Sequence, residues 1–111
     1  MNFKSTIEFQ KDFKKLFKKI KSLDQDLIEF QKVLNERPLG IGRHFNIIIK
    51  NEQCSIVKAR LFCRYLKDTS LRIIYAFHKQ NCKIDFLEIY FKGKKTNEND
   101  KRIQVYLKKI Y

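Results

Sequence analysis

The sequence predicts an α+β domain: a two-helix hairpin packed on a curved, mainly antiparallel sheet, with a further helix at the C-terminal end. Three observations predict it. Apolar residues recur at helical spacing before Pro38, alternate at strand spacing from Ser55 to Phe91, and return to helical spacing after Asn99. The chain has 111 residues, the size of one domain, so residues 1–111 are read as a single unit. Hydrophobic residues make up 43% of it, enough for a modest core and too many for a disordered chain.

Phe3, Ile7 and Phe9, with Thr6, suggest a short strand or an irregular lead-in to a helix. From Gln10 the pattern is helical: Phe13, Leu16, Phe17, Ile20 and Leu23 form one apolar stripe. Lys11, Lys14, Lys15, Lys18, Lys19 and Lys21 fill the opposite face. A break follows at Ser22–Gln25, with Ser22 or Asp24 as an N-cap. The second helix carries Leu27, Phe30 and Leu34, with Ile28 and Val33 beside them, and ends at Arg37–Pro38 because the residue before proline avoids helical dihedrals. The short connection makes the two helices a hairpin. Leu39–Gly42 is a turn, Phe45–Lys50 is a strand or a loop docked on the core, and Asn51–Gln53 is another turn.

Three strands are expected next: Ile56–Leu66, Leu71–His78 and Cys82–Phe91, joined by turns at Lys67–Ser70 and Lys79–Asn81. Turns this short imply an antiparallel meander. In the second strand Leu71, Ile73, Tyr75 and Phe77 share one face, which should meet the helix hairpin. Arg72 and His78 then fall on the opposite, open face. In the first strand Lys58, Arg60, Phe62 and Arg64 share a face against Val57, Ala59, Leu61 and Cys63. The third strand is apolar on both faces and should be central. After the basic turn Lys92–Lys95, capping and acidic residues at Thr96–Asp100 open a last helix with Ile103, Tyr106, Leu107 and Ile110 inward.

Charge narrows the function classes. Twenty-five Lys and Arg against 12 Asp and Glu give a formal +13. Such an excess invites a polyanion, nucleic acid first. A membrane surface fits less well, because the cations are spread through helices and strands alike. The bland alternative is a solvated basic surface. Cys54, Cys63 and Cys82 show no paired spacing and are read as reduced thiols of a cytoplasmic protein. No cofactor is expected, and a metal site would need more ligands than His44 and His78, which lie far apart in sequence. No leader is expected, since Met1–Lys4 runs straight into a charged amphipathic segment, and no apolar run suits a membrane span.

The order helix, helix, three-stranded meander, basic turn, helix resembles the RelE/ParE superfamily of toxins from type II toxin–antitoxin systems. FQKDFKKLFKKI looks like the family's opening, IVKARLFCRYL its basic strand, and LRIIYAFH its strand of Arg, two apolar residues and Tyr. IDFLEIYFKGKKTNENDKRI looks like the last strand, the Gly-Lys turn and the start of the tail. The resemblance is to the RelE-like branch and covers nearly the whole chain. It implies a RelE-like fold, a cytoplasmic endoribonuclease that cleaves mRNA on the ribosome, and a cognate antitoxin as partner. It implies attack by a ribose 2′-hydroxyl on the adjacent phosphate, with cations to hold the extra charge and groups to accept and donate protons. The catalytic candidates it implies are Lys58, Arg60, Arg72, and Lys94 or Lys95. Crowding of cations is expected to lower the pKa of one lysine so that it can act as a base.

The sequence departs from the family in its tail. Asn97–Lys101 holds no Tyr where RelE has its proton-transfer residue, and the chain lacks the C-terminal His of YoeB-like members. His78, Glu88 and Tyr90 are the remaining acid/base candidates, with Glu88 read either as a buried partner of an Arg or as a base. Two other readings stay open: a ParE-like, non-catalytic inhibitor of DNA gyrase, and a basic RNA-binding module without chemistry. Lys58, Arg60 and Arg72 favour the nuclease, because the ParE-like branch typically lacks such cations.

Overall fold

Among the described residues, a five-stranded sheet separates two apolar cores. The structure, a computed structural model, describes residues 1–40, 42–64 and 68–110, with side chains for all of these except 68–70. Its elements are β1 (Asn2–Ser5), α1 (Ile7–Phe17), α2 (Leu23–Glu36), β2 (Phe45–Lys50), β3 (Ser55–Cys63), β4 (Asp68–His78), β5 (Lys83–Phe91) and α3 (Asp100–Ile110). The strand order is β1-β5-β4-β3-β2. Strands β2 to β5 form an antiparallel meander, and β1 joins β5 in parallel.

The α+β class is as expected, and several boundaries are not. Helix α1 begins at Ile7 rather than Gln10, because the Thr6 hydroxyl accepts from the Phe9 N–H and caps it. The same helix stops at Phe17, yet Ile20 and Leu23 remain buried in the connection and at the start of α2. Phe45–Lys50 is a strand, at the sheet edge. Asp68–Ser70, expected in a turn, extend β4. The expected end of the first strand at Leu66, the turn residue Lys67, and Ile41 and Tyr111 lie outside the described residues.

The first core lies under the helix hairpin. Leu71, Ile73 and Tyr75 of β4 are fully buried there with Val57, Ala59 and Leu61 of β3, as the alternation predicts. Phe9, Leu23, Phe30 and Leu34 of the helices pack against them. The Tyr75 hydroxyl donates to the Pro38 carbonyl at 2.7 Å, which ties the end of the hairpin to the sheet.

Gly40 sits just beyond, at φ 68°, with the Phe45 ring where a β-carbon would stand, 2.2 Å away. Only glycine suits both the left-handed backbone and that close approach. Gly40→Ala is expected to destabilise the fold by about 2 kcal/mol. Urea melts would show this as a lower midpoint at an unchanged slope.

The second core corrects an expectation. The face of Arg72 and His78 is not open: α3 covers much of it, and Ile74, Ala76, Leu87 and Tyr90 pack with Ile103. The four α3 residues expected inward, Ile103, Tyr106, Leu107 and Ile110, all join this core. Arg72 is 6% exposed and His78 7%. Near its start, α3 is tied to α1 around the edge of β5. There Arg102 pairs with Asp12 at 2.6 Å and donates to the Leu87 carbonyl at 3.0 Å. Asp12 also accepts from the Ile89 N–H at 3.4 Å, so this pair satisfies a stretch of β5 that β1 does not reach.

A bulge in β5 sets the site. The register with β4 shifts at Ile74/Tyr75, where Ile74 faces Glu88 and Tyr75 faces Phe86, leaving Leu87 as the extra residue. Phe86 therefore points into the hairpin core, whereas Glu88 and Tyr90 turn to the face of Arg72. Unbroken alternation would have put all three on one side.

Candidate functional site

Cross-strand register assembles the site. Arg60 of β3, Arg72 of β4 and Tyr90 of β5 are direct neighbours in one row across three strands. The next row holds Lys58, Ile74 and Glu88. Three sequence-expected cations thus meet two of the acid/base candidates on one face. Two arginines placed opposite each other across a strand pair repel.

The segment between β5 and α3 closes over this face. Lys95 pairs with Glu88 and lies over the Tyr90 ring, 5.4 Å from its centroid. Glu88 is 2% exposed and also accepts from the Asn99 N–H at 2.8 Å, so it anchors the entry to α3. Its partners are thus a lysine and a backbone amide, and this engagement argues for anchoring over proton transfer. Asn99 caps α3 by accepting from the Arg102 N–H at 3.0 Å. Glu98 pairs with Lys58 at 3.0 Å.

Lys94 and Lys95 part company. Lys95 packs against the row, whereas Lys94 is exposed and stands near Lys19, in the connection after α1, whose proximity and positive charge lower the pKa of Lys94.

His78 is also outside the site. It lies at the far end of β4, about 20 Å from Arg72 at the rise of a strand. There its Nε2 is 2.6 Å from the Tyr106 hydroxyl, which itself donates to Asp85 at 2.5 Å. The Tyr106 proton goes to the carboxylate, so His78 donates its Nε2 proton to the Tyr106 oxygen. Burial lowers the His78 pKa, Asp85 opposes that and Lys83 adds to it. A depressed histidine is protonated first in the unfolded chain. Its contribution is therefore full above the ordinary value of 6.5 and is lost as pH falls below it. Wild type is expected to lose more stability than His78→Gln between pH 7.5 and 5.5, read from urea melts at about those two pH values.

Electrostatics assign states to the remaining groups. Burial alone would lower the Lys58 pKa, but Glu98, with Tyr90 adding to it, raises it above the usual lysine value. The expected depression of a lysine for base chemistry is not found at Lys58, which is held as a cation. Burial would raise the Glu98 pKa, but its own backbone N–H, Lys58 and Lys95 hold its carboxyl below the usual range. Burial raises the Tyr90 pKa; Lys58 and Arg72 oppose this, and Glu98 and Glu88 reinforce it. Tyr90 is therefore a protonated phenol. Its oxygen is buried without a hydrogen-bond partner of normal geometry among the described residues. Lys58 faces that oxygen, and its charge favours it electrostatically.

Glu98 escaped the sequence reading, where it counted only as part of a helix start. The available signal was an acidic residue a few positions after a Gly-Lys-Lys turn that follows the last strand. Among the described residues no group of three or more His, Cys, Asp and Glu is placed to hold a metal ion, and no helix is long and apolar enough to cross a membrane.

The sequence matches no family model and no curated protein. The fold is similar to that of a chain in the crystal structure of the archaeal RelE-RelB complex from Pyrococcus horikoshii OT3. The TM-score is 0.63 and the identity 18%, over 83% of this chain and 94% of that one. The protein has a RelE-like fold.

Proposed function

We propose that this chain is the toxin of a type II toxin–antitoxin pair and inhibits translation by cleaving mRNA on the ribosome, in the cytoplasm. The observation that carries the reading is the row Arg60–Arg72–Tyr90 beside Lys58, with the buried Tyr90 phenol facing the charge of that lysine. The RelE-like fold supports it, and the name of the similar complex supports an antitoxin as partner.

The scissile phosphate displaces Glu98 from Lys58 and is held by Lys58, Arg60 and Arg72. These cations stabilise the charge that gathers on phosphorus as the 2′-oxygen attacks. Glu98, freed from its lysine, gains proton affinity and accepts the 2′-hydroxyl proton. The bond from phosphorus to the 5′-oxygen breaks, and Tyr90 donates its proton to that leaving oxygen. The products are a 2′,3′-cyclic phosphate and a 5′-hydroxyl. Lys95 holds Glu88 and the Tyr90 ring in place, and no metal is required by this scheme.

The test uses purified protein with ribosomes programmed by a defined mRNA. The expected result is cleavage leaving a 2′,3′-cyclic phosphate, stopped by a single 2′-deoxy nucleotide at the cut. Cleavage that persists past the 2′-deoxy substitution, or an intact message, would overturn the proposal.

A further inference from the structure

Phe62 is 63% exposed on β3, although it is a large aromatic residue on a strand. It sits at the register shift between Leu61 and Cys63 and is flanked in sequence by Arg60 and Arg64. The pairing of β2 with β3 ends at Phe45 and Ala59, so no strand of the described residues covers this part of β3 from outside. Beside it opens a recess of about 420 Å³ that Phe62 lines together with both arginines. Its apolar lining includes Phe30 and Phe45, whose rings stack at 5.9 Å, and the buried Leu61. Asp26, Glu29 and His44 supply the other polar groups of the recess, and Asp26 is already engaged by the Ser22 hydroxyl and Glu29 by Lys32.

We propose that this recess binds a nucleobase of single-stranded RNA, stacked on Phe62, and so positions the nucleotide next to the scissile phosphate. The inference rests on the nuclease reading above and names a base subsite for it. Three features favour a base over an apolar protein side chain. Cations flank the aromatic ring on both sides, which suits a ligand that carries its own phosphates. An exposed ring gives a π-face, and single-stranded RNA is commonly gripped by stacking on such rings. Arg60 belongs both to the recess, on the α2 side of the sheet, and to the row with Arg72 and Tyr90, so it links the two around the edge of β3 that β2 leaves unpaired. Phe62 is two residues along β3 from Arg60, about 7 Å at strand rise, which is within the reach of a base from its own phosphate.

The experiment measures single-turnover cleavage on programmed ribosomes for wild type, Phe62→Ala, Phe62→Leu and Phe62→Tyr. The messages are one intact mRNA and the same mRNA with an abasic nucleotide on either side of the cut in turn. Phe62→Ala and Phe62→Leu are expected to cleave the intact message about tenfold more slowly, from the loss of one stacked base, and Phe62→Tyr to match wild type. One abasic position should slow wild type to the rate of Phe62→Ala and leave Phe62→Ala unchanged. Wild-type rates for Phe62→Ala on the intact message would overturn the subsite while leaving the nuclease reading standing. An abasic position that slows Phe62→Ala by the same factor as wild type, so that the two losses multiply, would do the same and would mark Phe62 as structural. An intact message with wild type would overturn both. Undiminished cleavage together with weakened capture of the antitoxin would reassign the recess to a protein partner.

Discussion

Arg72→Gln is expected to slow RNA cleavage by about 100- to 1000-fold, the usual cost of one preorganised contact to developing charge. Arg72 stands at the centre of the row, between Arg60 and Tyr90, and it is 6% exposed. A guanidinium held there is worth far more than a surface charge, because little water screens it. One of its N–H groups donates to its neighbour's carbonyl, that of Leu71, at 3.2 Å, which fixes its direction. Glutamine can keep a hydrogen bond of that kind but removes the charge and the fork that grips two phosphate oxygens. The fold should survive, since the apolar residues on both faces of β4 are untouched. Arg72→Lys should recover only part of the rate, because an ammonium cannot offer the same paired donors. Growth arrest on expression should disappear with Arg72→Gln. A folded Arg72→Gln protein that cleaves at the wild-type rate would remove Arg72 from the mechanism.

Tyr90→Phe should separate activity from stability. Loss of a proton donor costs about 100- to 10,000-fold in rate. The same change removes a buried hydroxyl that has no partner of normal geometry among the described residues, and keeps the ring that packs in the second core under Lys95. The variant should therefore be as stable as wild type or more so, by about 1 kcal/mol. Residues kept at a cost to the fold are expected where they serve function. Urea melts beside single-turnover cleavage would read both quantities on one protein. A Tyr90→Phe protein that is clearly less stable, or fully active, would show that the phenol is structural.

The faces of β3 and β4 were legible in the sequence because alternation is a local signal. Val57, Ala59, Leu61, Leu71, Ile73 and Tyr75 point where a period of two places them. The juxtaposition of Lys58, Arg60 and Arg72 followed from that alternation and a short turn. The last helix was legible too, from Ile103, Tyr106, Leu107 and Ile110. What it covers was not legible, so Arg72 and His78 were expected on an open face. Periodicity says which side of a strand a residue takes and nothing about what lies above it. The bulge at Leu87 left no signal in an apolar run, yet it is what brings Glu88 and Tyr90 to the cations. Strand β1 pairs with β5 across some eighty residues of sequence, beyond any local pattern. Lys94 and Lys95 could not be told apart by spacing. Only the path of the turn sends one toward Lys19 and the other onto Glu88. His78 was a candidate by chemistry alone, and the structure places it at the far end of β4, six residues from Arg72.

On the proposed function, the row of Arg60, Arg72 and Tyr90 cuts messenger RNA during translation. Primer extension on cellular mRNAs after brief expression of the chain tests it most directly, with Tyr90→Phe run in parallel. New 5′ ends in register with codons are expected for wild type and none for Tyr90→Phe. Uncut messages under growth arrest, with an induced DNA-damage response pointing to gyrase, would contradict it.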